Sequence, residues 1–184
     1  MKAAVVLMLS VICVLTLNFS TPSDIYIGKS GWVKFVSEAP LERIEAENSK
    51  VSAVINVTQK SVAFKVPIVS FQGFNSALQH EHFNENYMEV DDFPQATFNG
   101  KIIEDVDLTK VGTYKVRVKG MLSIHGIEKE RIINGKVVVA NDGITVASSF
   151  EVPLADHDIA IPKIVNQKIS EVINVEIKST LKAQ

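Results

Sequence analysis

The chain contains one cysteine, Cys13, in 184 residues, and it lies inside the apolar stretch that opens the sequence. If that stretch is removed as a leader, no thiol remains. Disulfides, a redox centre and cysteine metal ligation are then all excluded, and the fold must be held by its core alone. Charge of one sign is also scarce. Nineteen basic and 21 acidic residues leave a formal charge of −2, too little to attract nucleic acid or an anionic membrane surface. No second long apolar run follows the first, and no linker, repeat or low-complexity tract divides the chain, so a single domain is expected.

Catalytic signatures are missing as well. There is no G-x-S-x-G elbow, P-loop or H-E-x-x-H. Asp156, His157 and Asp158 stand too close in sequence to form a triad by themselves and read as a charged, solvated turn. Asp91 and Asp92 precede Phe93-Pro94 and read as helix-stop residues, not as paired carboxylates for acid–base work. His80 and His82, with Glu81, are common zinc-ligand types. On a helix, however, the two histidines point about 200° apart. The expectation is therefore no enzyme, no metal site and no cofactor.

What is present begins with MKAAVVLMLSVICVLTLNF, in which Lys2 precedes an apolar run of secretory length. Residues 1–20 are read as a signal peptide cut between Ser20 and Asp24, leaving residues 24–184 as one domain. The run from Ala3 to Leu17 is shorter than the roughly 20 apolar residues of a spanning helix, so no stable membrane span is expected once the signal is removed. An uncleaved anchor is the alternative. Ile12 stands before Cys13 where lipidation would require a small residue.

From Asp24 onward the chain reads as strands of period two. Tyr26–Ile27 and Trp32–Val36 flank GKSG, which is bracketed by glycines and expected to be the turn of a first hairpin. Leu41 to Ala46 form the next strand, and ENSK leads into Val51, Ala53, Ile55 and Val57 on one face. Val62, Phe64, Val66 and Ile68 continue the alternation, with Pro67 marking an edge or bulge. Later, Thr113 to Gly120 carry Tyr114, Val116 and Val118 opposite Lys115, Arg117 and Lys119. Leu122 to Ile124 form a further strand before His125 and Gly126 turn the chain. Arg131–Ala140 and Ile144–Val152 are joined by NDG, a hairpin signal. Lys163 to Ser170 suggest a helical turn, and Val172–Leu181 close the chain. About eight to ten such strands imply an all-β sandwich or barrel, with sequential hairpins favouring antiparallel up-and-down order. A closed barrel of about eight strands is either filled by its own side chains or holds one small ligand, and alternation does not separate the two.

Residues 71 to 100, FQGFNSALQHEHFNENYMEVDDFPQATFNG, interrupt this pattern. Ala77, Leu78, Phe83, Tyr87 and Met88 do not alternate, which predicts a short helical insertion near residues 76–88. Ser76 or Asn75 would cap its start. Asp91, Asp92 and Pro94 would stop it, and a strand resumes at Gln95 with Ala96, Phe98, Gly100 and Ile102 on one face.

The segment HFNENYMEVDDFPQATFNGKI, then GMLSIHGIEKE with Gly120, Leu122, Ile124, His125, Gly126 and Lys129, and the ending FEVPLADHDIAIPKIVNQKISEVINVEI appear in register. Together they resemble the YceI-like family of periplasmic lipid-binding proteins, in its Bacteroidetes-type form, over about residues 28 to 182. His157 departs from the family's usual aromatic. The resemblance implies a lipocalin-like barrel with helical segments, whose apolar interior accepts an isoprenoid or related lipid. It implies a periplasmic or secreted location, and binding, sequestration or transport instead of turnover. The cavity-lining residues expected are Phe71, Phe74, Leu78, Phe83, Tyr87, Met88, Phe93 and Phe98, backed by Ile124 and Phe150. A structural or interaction protein of the cell envelope with a filled barrel is the alternative. A hydrolase would need a nucleophile beside His125 or His157. The pattern sets no oligomeric state, and a dimer stays open.

Overall fold

Alternating β-branched and aromatic residues leave one dry face per strand, and eight such faces turned inward close on themselves. The computed structural model describes residues 23–184; the expected signal peptide lies outside the described residues. The strands are β1 (Ile25–Glu38), β2 (Arg43–Asn56), β3 (Ser61–Pro67), β4 (Gln95–Ile102), β5 (Gly112–Ile124), β6 (Ile127–Ala140), β7 (Gly143–Pro153) and β8 (Val172–Ala183). Each pairs antiparallel with the next, and β8 returns to β1, giving the closed up-and-down barrel.

Four of the expected boundaries are different, the simplest being that β6 begins at Ile127, straight after the turn, and not at Arg131. GKSG is no turn: β1 runs unbroken through it with register shifts at Gly28 and Gly31. A Cβ on Gly28 would stand 2.6 Å from Ser179 Oγ, and one on Gly31 2.9 Å from Val51 Cβ. These glycines let β1 press against β8 and β2. The first hairpin turns instead at Ala39–Glu42, where the Ala39 N–H donates to the Glu42 carbonyl at 3.0 Å. ENSK likewise lies within β2. There the buried Asn48 accepts from the Lys50 N–H at 2.8 Å and donates to the Pro67 carbonyl at 2.7 Å, so its side chain satisfies the local irregularity. Finally, Thr113–Gly120 and Leu122–Ile124 are one strand, β5. Gly120 faces Gly100 across the β4–β5 ladder and packs on the Asn99 carbonyl.

The two ends of the barrel differ. At one end the loop after β4 folds under and plugs the interior with Leu108, which joins Ile55, Val116, Ile144 and Leu181 in a closed core. At the other end β2 and β3 part. Their ladder stops at Ser52 and Lys65, and toward the mouth Glu47 pairs instead with Gln72. Residues 68–94 fill this gap. Ser76 caps α1 (Ala77–His82) by accepting from the Gln79 N–H at 3.1 Å, as its short polar side chain suggests. A wider helical turn, Phe83–Tyr87, follows. The helix is then ended by Glu89 in the left-handed region, φ 44°, ahead of the expected stop residues Asp91 and Asp92. The tip between β5 and β6 is a two-residue turn, with His125 at φ 50° and Gly126 at φ 72°, the signs of a type I′ hairpin.

Candidate functional site

Above the closed core the barrel is hollow. The cavity measures about 540 Å3, within the range of small-molecule sites. Its wall comes from all eight strands together with residues 68–88, which include α1, and residues 154–169. Nine of the ten expected residues stand in it: Phe71, Phe74, Leu78, Phe83, Tyr87, Met88, Phe98, Ile124 and Phe150. Phe93 does not. It lies beyond the left-handed Glu89, on the other side of the insertion, and meets the His125 ring edge-on at 4.7 Å.

Sequence reasoning missed Phe35. It is the hub of an aromatic cluster, with ring centroids 5.2 Å from Phe71, 5.9 Å from Phe74 and 5.3 Å from Phe83. Its signal was present in the alternation of Val33, Phe35 and Ser37. Gly135 was also missed. It faces the cavity opposite Val116, and a Cβ there would have the Ala147 carbonyl at 3.5 Å and Val116 Cγ2 at 3.8 Å as neighbours.

The polar groups gather toward the mouth. Gln79 Nε2 donates to Glu42 Oε1 at 2.7 Å, so these two satisfy each other. His82 and Lys168 also line the opening and have no side-chain hydrogen bond or ion pair among the described residues. Burial raises the Tyr87 phenol above its ordinary pKa, so the ring faces the cavity as a neutral group.

A second feature is a seam between β6 and β7. Their ladder spans only Gly135–Ala140 against Gly143–Ser148, although both strands continue. Side chains bridge the remainder: Ser148 Oγ donates to the Asn134 carbonyl at 2.6 Å, Arg131 Nη2 to the Glu151 carbonyl at 2.8 Å, and His157 Nδ1 to the Ile127 carbonyl at 3.1 Å. Within Asp156–Asp158 the expected solvation holds for the exposed Asp158 and the half-exposed Asp156, but not for His157. His157 is fully buried, and burial lowers its pKa below the ordinary histidine value. Burial favours the neutral ring and outweighs the bond to the Ile127 carbonyl, which favours the protonated one. His125 bridges the His157 carbonyl and Glu89, at 3.1 Å each, which ties the hairpin tip to the insertion. Neither ring contacts a hydroxyl nucleophile by hydrogen bond. Among the described residues, no three His, Cys, Asp or Glu side chains converge as metal ligands, and no helix is long and apolar enough to cross a membrane.

The model of the YceI-like domain matches residues 29–181. The chain belongs to the YceI-like family. Solved structures with the same fold include a polyisoprenoid binding domain from Saccharophagus degradans implicated in plant cell wall breakdown. It is 17% identical with a TM-score of 0.73, over 88% of this chain and 99% of that one. Burkholderia cenocepacia BcnA is 20% identical with a TM-score of 0.65, over 84% and 96%. The Campylobacter jejuni YCEI protein is 17% identical with a TM-score of 0.57, over 74% and 82%. No curated protein matches the sequence. In this YceI-like domain, the match spans both the closed core and the hollow end, so the cavity lies within the shared barrel.

Proposed function

We propose that this YceI-like protein binds one long apolar chain, an isoprenoid or related lipid, non-covalently in the barrel, and that it sequesters or transports that lipid without chemical change. The observation that carries this reading is the apolar cavity of about 540 Å3 inside a closed barrel. Each methylene moved from water into such a space contributes about 0.8 kcal/mol, so a prenyl chain needs no charged contact to bind. The similar structure from Saccharophagus degradans is that of a polyisoprenoid binding domain, which agrees with that ligand class.

In this reading Phe71, Phe74, Leu78, Phe83, Tyr87, Met88, Phe98, Ile124 and Phe150 contact the chain, together with Phe35. Phe93 braces the hairpin tip. His82 and Lys168 meet the head group at the mouth. Residues 1–20 direct the protein to the periplasm or out of the cell. A filled barrel acting only through its outer surface is disfavoured by the void. A hydrolase is disfavoured because His125 and His157 both spend ring nitrogens on structural bonds.

A chain-length series tests this. Straight-chain alcohols compete against a fluorescent polyene fatty acid in detergent-free buffer. Affinity should rise about fourfold per methylene, the equivalent of 0.8 kcal/mol, until the cavity is full. Affinity that ignores chain length would overturn the proposal.

A further inference from the structure

Three aliphatic side chains ring the mouth from three separate segments. Ile164 is 91% exposed, Leu41 66% and Leu78 57%, the first two being the most exposed large apolar side chains among the described residues. Each is placed at the mouth by a neighbour or by its own contact. Val165, next to Ile164, turns into the cavity wall, as does Glu42 next to Leu41, while Leu78 belongs to the wall itself. The segments are fastened together. The Leu41 N–H donates to the Gln167 carbonyl at 2.9 Å, and the Gln79 to Glu42 bond joins α1 to the β1–β2 turn.

Single exposed aliphatic residues are ordinary on protein surfaces. These three differ because they surround an opening whose interior is also apolar, so apolar side chains stand on both sides of the polar groups at the mouth. They are isolated prongs separated by polar residues, not a contiguous flat face. That suits a fluid apolar medium better than a shaped protein partner. Charge gives the same indication. Arg43, Lys163 and Lys168 on these segments are set against Glu38, Glu42, Glu81 and Glu85, which leaves no cationic excess to seek anionic head groups.

We propose that this rim is a membrane-contact surface. Ile164, Leu41 and Leu78 enter the boundary between head groups and acyl chains of a bilayer, and the ligand passes between bilayer and cavity without crossing water. The inference rests on the lipid-binding reading above and adds to it the place where loading occurs.

The test uses residues 24–184 and sucrose-loaded vesicles of zwitterionic phosphatidylcholine. Ile164→Asp, Leu41→Asp and Leu78→Asp should each lower co-sedimentation about tenfold. Val111→Asp, at an equally exposed position (65%) at the closed end, should leave it unchanged, and added salt should have little effect. Transfer of the fluorescent polyene fatty acid should speed up in proportion to acceptor-vesicle concentration. If a rim variant folds poorly, Ile164→Trp gives a second readout, a blue shift of its emission on vesicle addition. Co-sedimentation lost equally in Val111→Asp, no emission shift, or transfer independent of vesicle concentration would overturn the proposal. Normal probe binding in solution would then leave the lipid-binding reading standing. Vesicle binding through the rim without probe binding would uphold the surface and remove the cavity ligand.

Discussion

Gly135→Leu separates a hollow barrel from a filled one, because the two predict opposite signs. The position faces the cavity, its backbone lies outside the left-handed region, and the nearest atoms to an added Cβ are at 3.5 Å and 3.8 Å. The new side chain enters empty space without strain. Its four carbons take room that about four ligand methylenes would occupy, a loss of about 3 kcal/mol, or roughly two orders of magnitude in affinity. The same burial stabilises the apo fold by about 2 kcal/mol, aided by removal of a flexible glycine from a strand interior. For a domain of this size that is a rise of about 4–8 °C in Tm. Fluorescence titration and calorimetry read both quantities on one sample. Unchanged affinity together with a lower Tm, the mark of overpacking, would refute the reasoning.

Phe71→Ala should cost about 3–5 kcal/mol in urea denaturation, because the ring is buried between Phe35 and Phe83. Asn48→Ala strands the Pro67 carbonyl and the Lys50 N–H, and a loss of about 2–3 kcal/mol is expected by the same assay. Gly126→Ala places a methyl at φ 72° and 2.5 Å from Phe93 Cε1; a lower Tm is expected, partly recovered by Phe93→Leu. His157 has a folded pKa below its unfolded value near 6.5. The unfolded chain therefore binds more protons as pH falls below about 6.5, and the stability due to neutral His157 is lost there and level above it. The stability difference between wild type and His157→Asn, measured from pH 8 to 5, should shrink below pH 6.5; a constant difference would contradict the buried neutral ring.

Period-two alternation made the strands and their antiparallel order legible, because a strand with one dry face must show it residue by residue, while the resemblance to the YceI-like family implied the barrel. The same signal put Phe98 on one face with Ala96 and Ile102, and of the two candidate caps, Ser76 and Asn75, it is Ser76 that starts the helix. Glycine was where local reading misled. Gly28 and Gly31 look like turn punctuation, yet they serve close packing against Ser179 and Val51, a contact made across the barrel and not along the chain. Gly120 looks like the end of a strand but sits mid-ladder opposite Gly100. Gly135 lines the cavity, which no residue pattern advertises. Phe93 shares the composition of its neighbours, and only the reversal at Glu89 takes it away from the cavity. His157 read as solvated because Asp156 and Asp158 flank it. Its burial depends on the unpaired end of β6, which is visible only once the ladder with β7 is drawn.

The most direct test of a lipid-holding barrel is native mass spectrometry of the protein purified from its own host, followed by organic extraction of whatever co-purifies. One stoichiometric apolar molecule per chain is predicted, displaced in Gly135→Leu. A bare-chain mass, with no uptake of added prenyl lipid by the folded protein, would contradict it.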